Sequence, residues 1–194
     1  MQQSHVLLEP LARLLNQPGA VVLVALLVMA AVIDWRTYRI PNWLTAGGMA
    51  FGLIYNSVIA QPWHDGLLGA LAGLGVGLVV LLPVYALRVM GAGDVKLMAM
   101  VGAIVGLPDI LNAVLYSLIV GGIAAVAFAV YHRALRRMTT NVMDIVQSMA
   151  LAVVVGSRPT PAHAARASVG KLPYGVSIAG GTMAWLAARL LGVA

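Results

Sequence analysis

Long apolar runs, each closed by a cluster of charged or aromatic residues, recur along this chain of 194 residues. Residues 21–33 carry no charge and end on Asp34-Trp35-Arg36, and a second uncharged run, 66–87, precedes Gly91-Ala92-Gly93-Asp94. A helix needs about 20 apolar residues to cross a bilayer, and six candidate spans fit, at roughly 19–36, 42–60, 66–89, 94–108, 110–131 and 173–192. The fourth is short, so a span opening at Asp94 either starts inside the membrane or lies beside a dent in it. The runs are too long and unbroken for the alternation of a membrane barrel. Backbone polar groups in lipid must be satisfied within their own segment, which predicts an all-α, polytopic membrane helix bundle of about six transmembrane helices. Glu9, Pro10, Arg13 and Pro18 break the pattern ahead of the first run, and residues 1–18 are expected to form an interfacial tail. No basic region closely precedes that run and no small-residue cleavage site follows it, so it is expected to remain as a span.

Composition agrees with the pattern: 61% of residues are hydrophobic and 9% charged, against about 25% charged in a soluble domain. The net charge of +6 is unevenly placed. If the loop after the first span is cytoplasmic, that face holds Arg36, Arg39, Arg88, Lys96, Arg133, Arg136, Arg137, Arg158, Arg166 and Lys171, and the other keeps only Arg13 and Arg189. Under the positive-inside rule this predicts a multi-pass protein of the inner (cytoplasmic) membrane with both termini outside. Asp34 and Asp94 then stand at the cytoplasmic ends of their helices. The basic balance marks a membrane face and implies lipid, not nucleic acid, as its partner. Residues 132–172 surround a short apolar run, 149–155, that cannot cross at about 1.5 Å per residue. They are expected to form a cytoplasmic loop with an amphipathic or re-entrant helix at 141–156. The whole of 1–194 reads as one integral membrane domain.

Cysteine is absent, which excludes disulfides, thiolate metal sites and a cysteine nucleophile. His5, His64, His132 and His163 stand in separate termini or loops without ligand-like spacing, so no metal and no cofactor is expected.

The chain has six acidic residues, and two of them border hydrocarbon, where a carboxylate costs about 2.5–3.5 kcal/mol at a helix centre. Two carboxylates at comparable depth, sharing one proton and a water, are the minimal equipment of an aspartyl peptidase. One serves as general base and the other donates to the carbonyl oxygen. Each also has an ordinary explanation. Asp94 could cap a helix after a glycine turn, and Asp34 could pair with Arg36 or Arg39. Gly91 and Gly93 permit a positive-φ turn or close backbone approach. The phosphate-loop pattern G-x-x-x-x-G-K-[ST] is missing there. Lys96 follows Asp94 by two residues and need not face the site. Pro173-Tyr174-Gly175 reads as a helix start or as an edge gripping an extended substrate. Trp35, Tyr38 and Trp43 suit interface anchoring. Gly69, Gly73 and Gly77 form a small-residue packing face, where a methyl at Gly73 is expected to be tolerated, and Gly121-Gly122 and Gly180-Gly181 suggest the same use. Asp65, Asp109 and Asp144 are expected in loops. The alternative reading is a small proton- or cation-coupled transporter, which inverted repeats would favour; none is visible in the sequence.

Asp34 six residues ahead of Ile40-Pro41-Asn42, followed by Gly91-Ala92-Gly93-Asp94-Val95-Lys96-Leu97, resembles the type IV prepilin peptidase family, whose G-x-G-D signature is shared with presenilin and signal peptide peptidase. The resemblance runs from residue 21 to Lys171-Leu172-Pro173-Tyr174-Gly175. It implies that Asp34 and Asp94 are the catalytic pair, with Lys96 the lysine that follows the second. It also implies prepilin substrates, with pseudopilins as a further expected class, that have a short basic leader, a glycine before the scissile bond and a hydrophobic helix after it. Larger members carry a cysteine-bearing N-terminal cytoplasmic segment and methylate the new N-terminus. Without cysteine or such a segment, the chain resembles the short, peptidase-only members of the TadV/CpaA group that serve Flp/Tad-type pili.

Overall fold

Proline and glycine set where the helices of this chain begin and end. In the computed structural model, which describes residues 16–86, 90–131, 133, 140, 143, 147 and 173–193, six main helices follow one another. They are α1 (Pro18–Thr37), α2 (Asn42–Ile59), α3 (Trp63–Ala86), α4 (Ala92–Val105), α5 (Asp109–Tyr131) and α6 (Tyr174–Leu190). Pro18 opens α1 at a position where its missing N–H costs nothing, and Pro41 and Pro173 stand just ahead of α2 and α6. Gly106 ends α4 at φ 71°, a left-handed value that a Cβ would oppose. Among the described residues there is no strand. The expected tail and the helix at 141–156 lie outside the described residues, apart from residues 16–18, Met143 and Gln147.

Helices α1, α3 and α5 are long and apolar enough to cross a bilayer, and the chain is an all-α membrane helix bundle. Helix α4 differs from the expected span at 94–108. It begins two residues earlier, so Asp94 is its third residue, and its 14 residues reach only about 21 Å. Asp94, Val95 and all of 97–104 are buried, the signature of a helix enclosed on every side.

Glycine lets α4 be enclosed so closely. A Cβ on Gly73 of α3 would stand 2.2 Å from the Gly102 carbonyl oxygen, and one on Gly102 would stand 2.0 Å from that of Gly73. Gly77 meets the Met98 carbonyl in the same way. Gly73→Ala, expected from spacing alone to cleave near normally, would require the two helices to shift apart, since the obstacle is backbone that cannot rotate away. Gly69 faces open space, so the packing face is narrower than its spacing suggested. Gly181 presses on the Ser117 backbone of α5, whereas Gly122 touches nothing. Asn56 of α2 donates to the Ala103 and Ile104 carbonyl oxygens, both at 3.1 Å, satisfying acceptors that the end of α4 leaves without helical partners.

The helices alternate in direction, so the bundle has two ends. The C-terminus of α1 and the N-termini of α4 and α6 meet at one; at the other, Arg189 of α6 pairs with Asp109 of α5. Asp65 and Asp109, expected in loops, stand in the first turns of α3 and α5, where a carboxylate faces the positive end of the helix dipole. Asp144 lies outside the described residues.

Candidate active site

Asp34 sits one turn before the end of α1, yet its partner is 141 positions away. The backbone N–H of Gly175 donates to Asp34 Oδ2 at 2.8 Å, and the Val176 amide also faces this carboxylate. The Gly175 amide is an early one of α6 that its own helix leaves unpaired, whereas the Val176 N–H also donates to the Pro173 carbonyl oxygen at 3.2 Å. Asp34 thus caps a helix to which it does not belong. Asp94 does the corresponding work within its own helix: from the third position of α4 it accepts the Gly91 N–H at 2.9 Å. The capping explanation for Asp94 holds in this modified form, with Asp94 inside the helix and Gly91 at its cap. Pairing of Asp34 with Arg36 or Arg39 is not found. Among the described residues neither Asp34 nor Asp94 has an ion-pair partner, and both are buried.

Ile40, in the four-residue link between α1 and α2, joins the two carboxylates into one site. A Cβ on Gly93, beside Asp94, would stand 3.3 Å from Ile40 Cβ. A Cβ on Gly175 would stand 2.9 Å from Ile40 Cδ1 and 2.8 Å from Asp34 Oδ2. Ile40 is therefore wedged between the starts of α4 and α6, with a glycine on each side. The two aspartates lie close enough for the charge of one to act on the other, and Tyr174 also lies within the influence of Asp94. A side chain at position 175 would have to displace the Asp34 carboxylate and the Ile40 Cδ1. Neither Gly91 nor Gly93 uses positive φ; among the described residues the glycines that do are Gly106 and Gly192.

The other expected residues divide. Pro173 stands at the cap of α6, and Tyr174 opens its first turn. Lys96 turns away from the aspartates and donates to Asn42 Oδ1 at 2.9 Å, tying α4 to the start of α2. Sequence reasoning assigned no role to Ile40 or Asn42. The available signal was a lone isoleucine between Arg39 and Pro41, too polar a setting for an apolar side chain without a buried contact.

Comparison with known proteins shows the family to which the chain belongs. Residues 21–126 match the model of the type IV leader peptidase family, a segment that contains Asp34, Ile40, Gly91, Gly93 and Asp94. The chain is 30% identical over 132 residues to a prepilin leader peptidase/N-methyltransferase of Escherichia coli (strain K12), covering 64% of this chain and 56% of that protein. It is 32% identical over 120 residues to the protein of that name from Bacillus subtilis (strain 168), covering 61% and 47%. For Pectobacterium carotovorum subsp. carotovorum the identity is 35% over 107 residues, covering 53% and 38%. The chain thus spans about half the length of these relatives or less, and no solved structure matches it. With its family segment covering both aspartates, Gly91 and Gly93, the chain belongs to the type IV leader peptidase family.

Proposed function

We propose that this protein is an aspartic endopeptidase that removes the short basic leader of type IV prepilins of the Flp/Tad kind. The observation that carries the reading is the Gly175–Asp34 hydrogen bond. It draws the start of α6 onto the end of α1 and leaves two buried carboxylates within reach of each other's charge, with no ion pair to either among the described residues. Close carboxylates with little hydration share one proton near neutral pH. The ionised member removes a proton from water as it attacks the scissile carbonyl, and the protonated member donates to the carbonyl oxygen. Collapse of the tetrahedral intermediate passes a proton to the departing amine and restores the pair. The backbone amides that hold both carboxylates keep them oriented through the cycle.

A bundle of about six membrane helices, the inner membrane and a cytoplasmic site complete the proposal. The basic residues at 36, 39 and 96 share the end of the bundle that holds the aspartates, which supports that orientation. Pilin precursors leave their basic leader on this side, so the cut bond and the carboxylates share one level. Peptidase activity without methylation, as in the TadV/CpaA-like members, is the proposed scope; pseudopilins of the same leader chemistry are included among substrates. A coupled transporter finds no support in the family match.

The test is co-expression with a Flp-type prepilin, scored by mass spectrometry. Loss of the leader mass without added methyl, abolished by Asp34→Asn and by Asp94→Asn at unchanged membrane levels, is the expected result. Undiminished cleavage by either variant would remove the catalytic assignment.

A further inference from the structure

Tyr174 is the first residue of α6 and stands directly before Gly175, whose N–H holds Asp34 at 2.8 Å. The charge of Asp94 also acts on its phenol. One tyrosine thus lies beside both members of the pair. Resting on the peptidase reading, we propose that the Tyr174 hydroxyl donates a hydrogen bond to the scissile carbonyl oxygen, as a second donor beside the protonated aspartate.

A free donor is the first argument. Among the described residues the Tyr174 hydroxyl has no hydrogen-bond partner. No side-chain polar atom sealed from solvent is left unpaired among them, so this hydroxyl opens onto accessible space. Neighbouring donors are already engaged: the Gly175 amide with Asp34, the Gly91 amide with Asp94, and Lys96 with Asn42. Setting is the second argument. Tyr174 shares the wall of a cavity of about 230 Å³ with Leu81, Val84, Met90 and Met98. In such apolar surroundings a hydrogen bond to an oxygen gaining charge is stronger than in water. The ordinary explanation of a tyrosine at a helix end is anchoring in the membrane interface. The anchors at this end, Trp35, Tyr38 and Trp43, are 68%, 50% and 66% exposed. Tyr174 is only half-exposed by comparison and lines an interior cavity, which anchoring does not explain.

The reaction supplies the third argument. As water attacks, charge gathers on the carbonyl oxygen, which has two lone pairs to offer. The protonated aspartate takes one of them, and the pair must afterwards turn to the departing amine. A phenol is a neutral donor at neutral pH and can hold the other lone pair throughout. No proton leaves Tyr174 and no bond to it forms, so the carboxylates still carry every proton transfer. Removing a donor of this kind lowers kcat by about 100- to 1,000-fold where a site depends on it. With the aspartate as co-donor, a smaller loss of at least about tenfold is expected.

The experiment uses the purified full-length protein in phospholipid vesicles with a Flp-type prepilin. Tyr174→Phe keeps the ring and loses only the hydroxyl, so kcat is expected to fall at least about tenfold while KM stays within about twofold of wild type. Tyr174→Leu deletes the hydroxyl in a second way and is expected to lose at least as much in kcat. Two uncleavable leader peptides separate catalysis from packing: one carries a secondary alcohol in place of the scissile carbonyl, the other a plain methylene. Tyr174→Phe is expected to bind the alcohol at least about tenfold more weakly than wild type does, and the methylene peptide equally well. Tyr38→Phe, at the same end but exposed, should cleave as wild type. Wild-type kcat in Tyr174→Phe, or a loss confined to KM, overturns the proposal while leaving the peptidase standing. Equal weakening of both peptides also overturns it, pointing to a packing role for the residue. Failure of wild type to cleave the prepilin overturns the peptidase reading and this proposal with it.

Discussion

The two ends of this bundle treat their carboxylates in opposite ways. At one end Asp109 is paired with Arg189, whose guanidinium also lies 5.6 Å from the centre of the Trp185 ring. Charge meets charge, and the pair fastens α5 to α6. At the other end Asp34 and Asp94 are more deeply buried and receive backbone amides instead. An amide orients a carboxylate through one hydrogen bond without placing a full positive charge beside it. The difference lies in the partners: an aspartate fixed by arginine fastens two helices, whereas one held by amides suits the proton exchange that the proposed function asks of it.

Changes that make the ends alike should have the largest effects. Asp34→Asn or Asp94→Asn removes the exchangeable proton and is expected to lower leader cleavage about a thousandfold or more, measured as processed prepilin at equal membrane level. Ile40→Lys would bring to the aspartates the kind of cation that Asp109 already has, and a comparable loss is expected with the protein still inserted. Active Ile40→Lys enzyme would break the comparison outright.

Next come changes that disturb how the amides reach the carboxylates. Gly175→Ala places a methyl 2.8 Å from Asp34 Oδ2, and Gly93→Val presses on Ile40. Each is expected to reduce the rate at least tenfold in a cleavage assay, with unchanged membrane levels. Gly180→Ala, whose Cβ would lie in ordinary contact with Val120, should cleave normally.

Gly73→Ala disturbs packing between the ends and not the site itself. Because its methyl would overlap the Gly102 carbonyl, a loss of about 1–3 kcal/mol is expected, seen as a lower thermal midpoint in detergent. Gly69→Ala should leave the midpoint in place. The smallest effect belongs to the fastener. Asp109→Asn should cost no more than about 1 kcal/mol, the usual worth of a partly exposed ion pair, and full cleavage is expected from it in the same assay. A dead Asp109→Asn enzyme would show that the ends are coupled.

The sequence made much of this legible because hydrophobic length and proline position act locally. The six helices appear within about three residues of their expected limits, and the glycine before Asp94 marked the right corner of the fold. What escaped depends on contacts between distant segments. The reciprocal fit of Gly73 and Gly102 needs two helices in register, which spacing along one helix cannot reveal. Lys96 follows Asp94 closely, yet two steps along a helix turned it toward Asn42. Ile40 stood in plain view within a motif, but its role exists only where α4 and α6 converge.

The shortness of α4 has a consequence for how this protein senses its bilayer. Helices α1, α3 and α5, with 20, 24 and 23 residues, extend about 30 to 36 Å, close to the hydrocarbon thickness of about 30 Å. The helix carrying Asp94 is buried along most of its length, and carbonyls at its C-terminal end are received by Asn56. Changes in lipid acyl-chain length therefore strain the outer helices and reach Asp94 only through them. On the proposed reading, enclosure of α4 sets the Asp94 carboxylate apart from direct hydrophobic mismatch with the lipid.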